Sequence, residues 1–321
     1  MSIDVHGHIT SPELLARYPM PPVLGDIEGM LAARRAAGIT TTIVGSPVGA
    51  GTMIPRPGAD NFAQPPGALE SYHDWLSEQV RQHPDALRAY AFVDPFGGAA
   101  ELERLAARLA QPEFAGIIVN SSVNGRLLGE AALADFWALA AEHDAPVLVH
   151  PPAEPVGCPV VPDLGLLEGV ARIHDVGLSL ASFVLAGWLE RHPDLVVIAS
   201  GTGASLPLLG RKLDAAAALG RPNPAYAGDG HLRQVDHPPS AALRRLYADT
   251  GNADPVALAA ALAFFGSDRV LFGTDSPPSG EPLSAMAQRV AEAAGPHRES
   301  VLTRNAARAF GLGAHAKEAV A

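Results

Sequence analysis

The chain has 321 residues, of which 48% are hydrophobic, and a formal net charge of -11. This is ample apolar material for a large core, and the negative balance disfavours nucleic acid or an anionic membrane surface as the main partner. The most apolar segment, residues 176–188, is too short and too interrupted to span a bilayer. A single cysteine, Cys158, rules out an intrachain disulfide framework and fits a reducing compartment, so we expect a cytoplasmic protein.

Short runs of β-forming residues recur along the chain, and each is followed by a longer helical pattern. The predicted strands cover residues 2–8, 40–46, 88–94, 116–120, 146–150, 195–200, 245–251 and 269–275. Several are nearly continuous apolar runs, which is typical of parallel strands buried on both faces. Helical patterns lie between them, as at 100–111 and 132–143. Eight such units predict a parallel (β/α)8 TIM barrel, with residues 1–321 forming one domain.

The loops of such a barrel fall into two groups. Those that follow the strands form the active face, and those that precede them form the stability face. The Pro/Gly-rich segment 47–68 follows strand two, and 158–165 follows strand five. We predict that both are lid loops over the active face. The long segment 220–240 is expected to take part in subunit contact or to cover the site.

Polar residues at three strand ends predict a metal site. In DVHGH, side chains alternate between faces, so Asp4, His6 and His8 point the same way. His150 ends strand five and Asp275 ends strand eight. A buried imidazole or carboxylate needs a partner, and a shared divalent metal satisfies all four of His6, His8, His150 and Asp275 while leaving a position open. For each residue alone, a core side chain with its own hydrogen bond is the alternative.

The locations and roles of the other histidines are predicted from their positions relative to the helices. His83, His143 and His192 each end a helix just before the next strand, where a cation favours the helix C-terminus, so we expect caps on the stability face. His174 follows the strand-five loop and is close enough in sequence to reach the site. His73 and the remaining histidines are expected at the surface.

The stretch ASGTG at 199–203 ends strand six with a serine and two glycines. A phosphate loop and a serine nucleophile at Ser200 are both disfavoured, because neither the P-loop pattern nor the G-x-S-x-G elbow is present.

The motifs DVHGH, VLVHP and LFGTDSP, in this order and near these spacings, resemble the amidohydrolase superfamily. The closest resemblance is to the amidohydrolase-2 branch, which contains aminocarboxymuconate-semialdehyde decarboxylase. It extends over nearly the whole chain, through the segments 116–128, 190–199, 246–250 and 305–312. The resemblance implies a (β/α)8 barrel, one catalytic divalent metal (often zinc, manganese in some members) and a homodimer.

Carried over by position, the resemblance implies the same four metal ligands. Arg211, in LLGRKLD, matches an arginine that binds the substrate carboxylate from the neighbouring subunit in such decarboxylases. A planar guanidinium suits that role, although a helix-surface arginine is the alternative.

One position departs from the family pattern. The family has A-H-G-G-G after strand six, with the histidine as general acid and base, whereas Ser200 occupies that place here. A hydroxyl cannot act as a base near neutral pH. We therefore expect Asp275 to take over proton transfer, with His174 as a more remote candidate.

The combined prediction is an enzyme that uses a metal-activated water on a small-molecule carboxylate or ester. A decarboxylase of an unsaturated or aromatic carboxylate is the first interpretation. A metal-dependent hydrolase of an ester, lactone, amide or thioester is the alternative, and the missing histidine favours it. A non-catalytic relative that keeps the metal is a further alternative.

Overall fold

The computed structural model describes residues 2–56, 58–65, 67–157, 163–220, 237–278 and 280–312. Cys158, the start of the predicted strand-five lid (158–162) and most of the segment 220–240 lie outside these described residues. Over the described part of the chain, no helix combines the length and the hydropathy needed to cross a bilayer.

Eight parallel strands lie side by side in chain order. They are β1 Ser2–His8, β2 Ile39–Gly45, β3 Leu87–Phe92, β4 Phe114–Asn120, β5 Val147–His150, β6 Val197–Ala199, β7 Tyr247–Asp249 and β8 Val270–Leu271. The chain after β8 returns to β1, where Gly7 bridges Ser276 and the Asp275 amide donates to the His6 carbonyl at 2.8 Å. The sheet thereby closes on itself, and the predicted (β/α)8 TIM barrel is confirmed.

Apolar side chains fill both faces of these strands. Val5, Ile43, Ile117, Val149 and Ile198 are fully buried. One face of each strand packs inside the barrel and the other packs against the helices, which explains the nearly continuous apolar runs in the sequence.

The last three strands are shorter than predicted, and residues in left-handed conformations follow each of them. The turn after β6 has positive φ angles of 61° at Gly201 and 58° at Thr202. The segments after β7 and β8 contain Asn252 at φ 55° and Asp275 at φ 53°. Such backbone conformations cannot continue a strand.

Helices alternate with the strands and surround them. They are α1 Pro12–Arg17, α2 Ile27–Ala36, α3 Ala68–Gln82, α4 Ala99–Leu109, α5 Ala134–Glu142, α6 Leu164–Leu166, α7 Arg172–Leu185, α8 Trp188–Arg191, α9 Leu206–Gly220, α10 Pro239–Leu243, α11 Pro255–Phe265, α12 Leu283–Ala294 and α13 Asn305–Ala309. The π-helical turns Leu167–Ala171 and Ser300–Arg304 lead into α7 and α13. Short 3-10 turns occur at Pro22–Gly25, Ala131–Leu133 and Gly295–His297, and Ser122–Val123 pairs with Arg126–Leu127 as a two-stranded ladder.

The positions of three predicted helix caps and of two predicted surface histidines, His237 and His297, agree with the sequence, and the position of one histidine disagrees. His83, His143 and His192 are the C-cap residues of α3, α5 and α8, as predicted. The prediction of a surface position for His73 was wrong, because this side chain is only 3% exposed. Its Nε2 accepts a hydrogen bond from the Phe92 amide at 3.1 Å, and burial lowers its pKa to about 3.

A buried ion pair joins the strands where the barrel closes. Arg34 Nη2 of α2 lies 3.2 Å from Asp4 Oδ2, and both side chains are buried. Asp4 also accepts hydrogen bonds from the His6 amide and from the amide and hydroxyl of Thr274. Asp4 therefore connects β1, α2 and the end of β8, and it is not part of the histidine cluster that follows it.

Candidate metal centre and cavity

Three histidines and one aspartate converge at the C-terminal end of the barrel. The candidate ligand atoms of His6, His8, His150 and Asp275 all lie within 4.8 Å of one another. His8 Nε2 is 3.1 Å from His6 Nε2 and 2.9 Å from Asp275 Oδ1. Two nitrogen donors at about 2.1 Å from one ion stand roughly 3–3.5 Å apart, so the spacing fits a shared cation.

The opposite nitrogen of each imidazole has an acceptor. His6 Nδ1 lies 2.6 Å from Asp249 Oδ2, and His8 Nδ1 lies 3.1 Å from the Gly45 carbonyl. His150 Nδ1 lies 2.8 Å from the Pro151 carbonyl. These acceptors favour a proton on every Nδ1, which leaves the Nε2 lone pairs directed into the cluster, as in most metal-binding histidines. The donor set is that of a divalent-metal site.

Asp249 is the functional residue that the sequence reasoning missed. It is fully buried, and its Oδ1 accepts hydrogen bonds from the amides of Gly201 and Gly251, each at 2.9 Å. These bonds fix the carboxylate that orients His6. The sequence feature that identified the candidate ligands was also present here, because Asp249 is a polar residue at the end of an apolar strand in LYADT.

The electrostatics of the four ligands favour positive charge in the cluster. Burial opposes protonation of His6, but Asp249 and then Asp275 outweigh it and raise the pKa of His6 to about 9. Burial also opposes ionisation of Asp275, yet His6 and His8 hold the pKa of that carboxyl well below its ordinary value. Burial, with His6 and His8, holds the pKa of His150 well below 6.5. A divalent cation supplies the positive charge that these two carboxylates stabilise.

Asp275 has the most open position of the four ligands. Its side chain is 28% exposed, whereas the three histidines are buried. Asn252 Nδ2 donates to its Oδ2 at 2.6 Å, which leaves Oδ1 directed at the histidines. The left-handed backbone at both residues turns these side chains back over the end of the barrel, and Asp and Asn tolerate that conformation best.

Two further polar residues flank His150 on the neighbouring strands. Asn120 pairs with His150 in the register of β4 and β5, and Val149 pairs with Ala199, which places Ser200 beside His150. Residues in register on parallel strands point to the same face. Among the described residues, Asn120 Oδ1 and Ser200 Oγ are buried without a hydrogen-bond partner. Buried polar atoms are normally paired, so these two oxygens form an unsatisfied polar region beside His150, although neither residue lines the cavity that opens beside the cluster.

A cavity of about 440 Å³ opens beside the cluster. Its walls are mostly apolar, and they come from the loops after β1, β2 and β5. The lining residues are His8, Ile9, Thr10, Pro19, Met20, Pro21, Leu24, Gly45, Ser46, Pro47, Val48, Thr52, Met53, Ile54, His150, Leu164, Glu168, Arg172, Asp275 and Pro278. The predicted lid segment after strand two therefore contributes directly to the wall.

None of the remaining predicted residues lines this cavity. Ser200 is buried directly after β6, next to His150 in register, but it is not among the lining residues. His174 is exposed on α7 and does not line the cavity. Arg211 lies on the exposed face of α9 and does not line the cavity of its own chain, so its predicted role requires a second subunit.

The fold and the donor set together define a (β/α)8 barrel with a divalent-metal site at the C-terminal ends of its strands. The chain belongs to the amidohydrolase family, since the family model described as Amidohydrolase (Amidohydro_2) matches residues 3–312. The resemblance seen in the sequence is thereby confirmed.

Several characterised relatives are decarboxylases by name. The chain is 31% identical over 186 residues to Decarboxylase orsB of Emericella nidulans, covering 52% of this chain and 54% of that protein. It is 27% identical over 229 residues to gamma-resorcylate decarboxylase of Rhodococcus jostii, covering 64% of each. It is 26% identical over 261 residues to 2-amino-3-carboxymuconate-6-semialdehyde decarboxylase of Dictyostelium discoideum, covering 78% and 69%. The first two matches thus span between half and two thirds of those relatives.

Solved structures show the same fold. The chain superposes on 5-carboxyvanillate decarboxylase LigW from Sphingomonas paucimobilis with a TM-score of 0.81 at 17% identity, covering 97% of this chain and 99% of that one. For dihydroxybenzoic acid decarboxylase from Polaromonas sp. JS666, with bound manganese and the inhibitor 2-nitroresorcinol, the TM-score is 0.73 at 19% identity, with 97% of each chain covered. At such identities these likenesses establish the fold alone.

Proposed function

We propose that this protein is a metal-dependent decarboxylase of a small aromatic carboxylate. The observation that carries the proposal is the convergence of three imidazole Nε2 atoms and the Asp275 carboxylate beside a largely apolar cavity. The names of the relatives support it, because they act on resorcylate and on a carboxymuconate semialdehyde.

The proposed cofactor is one divalent cation held by His6, His8, His150 and Asp275. Three imidazoles and a carboxylate suit Zn²⁺, which the family resemblance favours, and the manganese in three structural neighbours makes Mn²⁺ the alternative. When bound, the cation supplies Lewis-acid polarisation of a substrate oxygen.

The chain itself must handle one proton. Decarboxylation of an aromatic acid adds a proton to the ring carbon, breaks the bond to the carboxylate and releases CO₂, and the bond electrons return to the ring. We assign proton relay to Asp275, because it is the most exposed of the four candidate ligands and lines the cavity. Its ionised carboxylate accepts a proton from a water in the cavity and passes it to the ring carbon, after which Asp275 is again ionised and solvent neutralises the hydroxide.

Ser200 and Asn120 are proposed to bind the reacting group rather than to move the proton. The proposal rests on two observations: both residues flank His150, and each has a buried oxygen without a hydrogen-bond partner that a carboxylic acid or a water can satisfy. Neither residue lines the cavity itself. The Ser200 hydroxyl can donate or accept a hydrogen bond but is no base near neutral pH. The apolar walls exclude water, which strengthens the polar contacts made inside the cavity.

The test is CO₂ release from aromatic acids by the metal-loaded protein. Loaded with Zn²⁺ or Mn²⁺, the protein is incubated with 2,6-dihydroxybenzoate and with 5-carboxyvanillate, and the products are separated by chromatography. We expect metal-dependent turnover of an aromatic acid. His6→Ala should lose both metal and activity, and Asp275→Asn should retain some metal but lose most of the rate. His143→Gln, at an exposed helix cap, is the matched control.

A metal-dependent hydrolase is the second candidate, and the serine in place of the family histidine favours it. Hydrolysis of esters or lactones, with full metal content and no CO₂ from any aromatic acid, would establish this candidate and overturn the first.

We also propose a cytoplasmic homodimer in which Arg211 enters the cavity of the other subunit. The exposed position of Arg211 on α9 supports this arrangement. Mixing inactive His6→Ala and Arg211→Ala chains should restore activity, because each mixed dimer contains one intact site. No recovery in mixed dimers would contradict the shared site.

A further inference from the structure

Arg172 is a buried cation in the wall of the cavity. It is the first residue of α7, its relative exposure is 2%, and it lines the same cavity as His8, His150 and Asp275. A guanidinium stays charged at all ordinary pH values. Burying such a charge is costly unless it is paired and hydrogen-bonded, so the partners of Arg172 indicate what the residue does.

Three hydrogen bonds join Arg172 to backbone carbonyls of two loops. Nε donates to the Pro152 carbonyl at 3.0 Å, and Nη2 donates to the Ala153 carbonyl at 3.2 Å. Nη2 also donates to the Met53 carbonyl of the loop after β2. Carbonyls satisfy hydrogen bonds but carry no net charge. These three hydrogen bonds hold the guanidinium between the two loops and contribute no negative charge.

The carboxylate that faces Arg172 is exposed to solvent. Nη1 forms an ion pair with Glu168, one helical turn earlier. The Glu168 side chain is 64% exposed, so water and salt screen its attraction. Asp275, the other carboxylate in the cavity wall, already contacts His8 and Asn252. An anion that enters the cavity can thus take the place of Glu168 on Nη1.

We propose that Arg172 is a second anion subsite of the cavity and that Glu168 occupies it until a substrate enters. The substrate class is then an aromatic acid with two ionised groups, of which one reacts at the cluster and the other pairs with Arg172. The assignment of the reacting group rests on the proposed function. The binding preference does not, because it can be measured without turnover.

The test compares two ligands of the same shape and different charge. Isophthalate carries two carboxylates, and 3-nitrobenzoate replaces one of them with a neutral nitro group. Binding to the Zn²⁺-loaded protein is measured by titration calorimetry. We expect isophthalate to bind about tenfold or more tightly than 3-nitrobenzoate, because a charge-assisted hydrogen bond is stronger than a neutral one.

Two variants should move this preference in opposite directions. Arg172→Gln should abolish it, leaving the two ligands with similar affinity. Glu168→Gln should tighten isophthalate about three- to tenfold and leave 3-nitrobenzoate unchanged, because it removes the competing carboxylate. The pair Arg126 and Glu130 has the same i,i+4 spacing and does not line the cavity. Glu130→Gln is therefore the control and should change neither affinity.

The alternative is that Arg172 only holds the two loops together. In that case Arg172→Gln weakens both ligands equally, and Glu168→Gln changes nothing. Either result overturns the proposal, as does equal affinity of the two ligands for the wild-type protein. If Arg172→Gln does not fold, as judged by circular dichroism, the exposed Glu168→Gln variant decides alone. If the protein prefers isophthalate to 3-nitrobenzoate but releases no CO₂ from any aromatic acid, the proposed function is contradicted and the subsite is not.

Discussion

At the scale of single residues, the orientation of the donor set depends on the acceptors bound to the opposite nitrogen of each imidazole. Asp249 binds His6 Nδ1 on one oxygen and two backbone amides on the other. Its charge strengthens the donor character of the imidazole, and its fixed position sets the plane of the ring. The carbonyls of Gly45 and Pro151 play the same part for His8 and His150.

We predict that Asp249→Asn weakens metal binding about 10- to 100-fold, the usual effect of losing such a partner. The amide keeps the volume but removes the charge, and it cannot accept from His6 and from the Gly201 and Gly251 amides as the carboxylate does. Affinity is measured by competition with a chromophoric chelator. Asp254→Asn, at the exposed N-cap of α11, is the control because asparagine caps equally well. An unchanged affinity in Asp249→Asn would contradict the role.

The Ser200 position gives a second residue-scale prediction. Ser200→His restores the family's acid and base beside His150, and we expect it to raise the rate of decarboxylation. A positioned general acid or base typically raises the reaction rate about 10²–10⁴-fold. The turnover rate at saturating substrate would reveal even a part of this gain. Ser200→Ala is the companion variant and should keep its metal. A lower rate in a folded, metal-loaded Ser200→His protein would show that the site has been rebuilt around the serine.

The four candidate metal ligands were identifiable from the sequence, whereas the cavity arginine was not. His6, His8, His150 and Asp275 stand out because each is a polar residue ending an apolar run. On α7, His174 was the residue that the sequence analysis named as one that could reach the site. Positions two apart on a helix differ by about 200°, so the inward direction of Arg172 turns His174 to solvent. The apolar residues Val176 and Leu180, four and eight positions after Arg172, are buried on the same face of the helix. Their spacing could have shown that Arg172 points inward and His174 outward.

At the scale of elements, the ion pair of Asp4 and Arg34 connects the first strand, a helix and the end of the last strand. Burial raises the pKa of Asp4 and lowers the pKa of Arg34, so desolvation opposes both charges. Each charge is retained because the other is present. A buried pair of this kind contributes modestly to stability as a whole, but removing one member is expensive.

We predict that Arg34→Met lowers the free energy of unfolding by about 3–5 kcal/mol, because it leaves Asp4 buried without a cation. Urea denaturation of the metal-free protein measures the change without a contribution from metal binding. Arg35→Met changes the exposed neighbour on the same helix and should be nearly neutral. A loss no larger than that of the control would show that Thr274 and the backbone alone stabilise Asp4.

The order of the elements was predictable, and the ends of the last strands were not. Eight apolar runs in sequence led directly to the barrel because parallel strands need apolar faces on both sides. The predicted strands 195–200, 245–251 and 269–275 were too long, since the observed strands are only 197–199, 247–249 and 270–271. The left-handed residues Gly201, Asn252 and Asp275 follow in the turns. Hydrophobic pattern carries no information on the sign of φ at a polar residue.

At the scale of the whole molecule, the buried His73 makes stability depend on pH. Its pKa is about 3 in the folded protein against 6.5 for an ordinary histidine. Between these values the unfolded chain binds the proton that the folded chain excludes. The free energy of unfolding therefore falls as pH drops below about 6.5, by roughly 1.4 kcal/mol per pH unit from this group.

We predict that His73→Gln removes this contribution while its amide oxygen still accepts from the Phe92 amide. Between pH 6.5 and 5.0 the wild-type protein should lose about 2 kcal/mol more stability than the variant. Urea unfolding at a series of pH values tests this, and other titrating groups cancel in the comparison. His297→Gln, at an exposed position, is the control. Parallel pH profiles for wild type and His73→Gln would contradict the prediction.

The contacts of Arg172 also limit how this barrel can be re-engineered. One side chain binds carbonyls at Met53 in one βα loop and at Pro152 and Ala153 in another. Grafting the strand-two loop of a relative by itself would remove an acceptor from a buried charge and disturb the neighbouring loop, even if the graft fits locally. The two loops therefore form one module, and libraries or chimaeras that aim at new specificity should exchange them together.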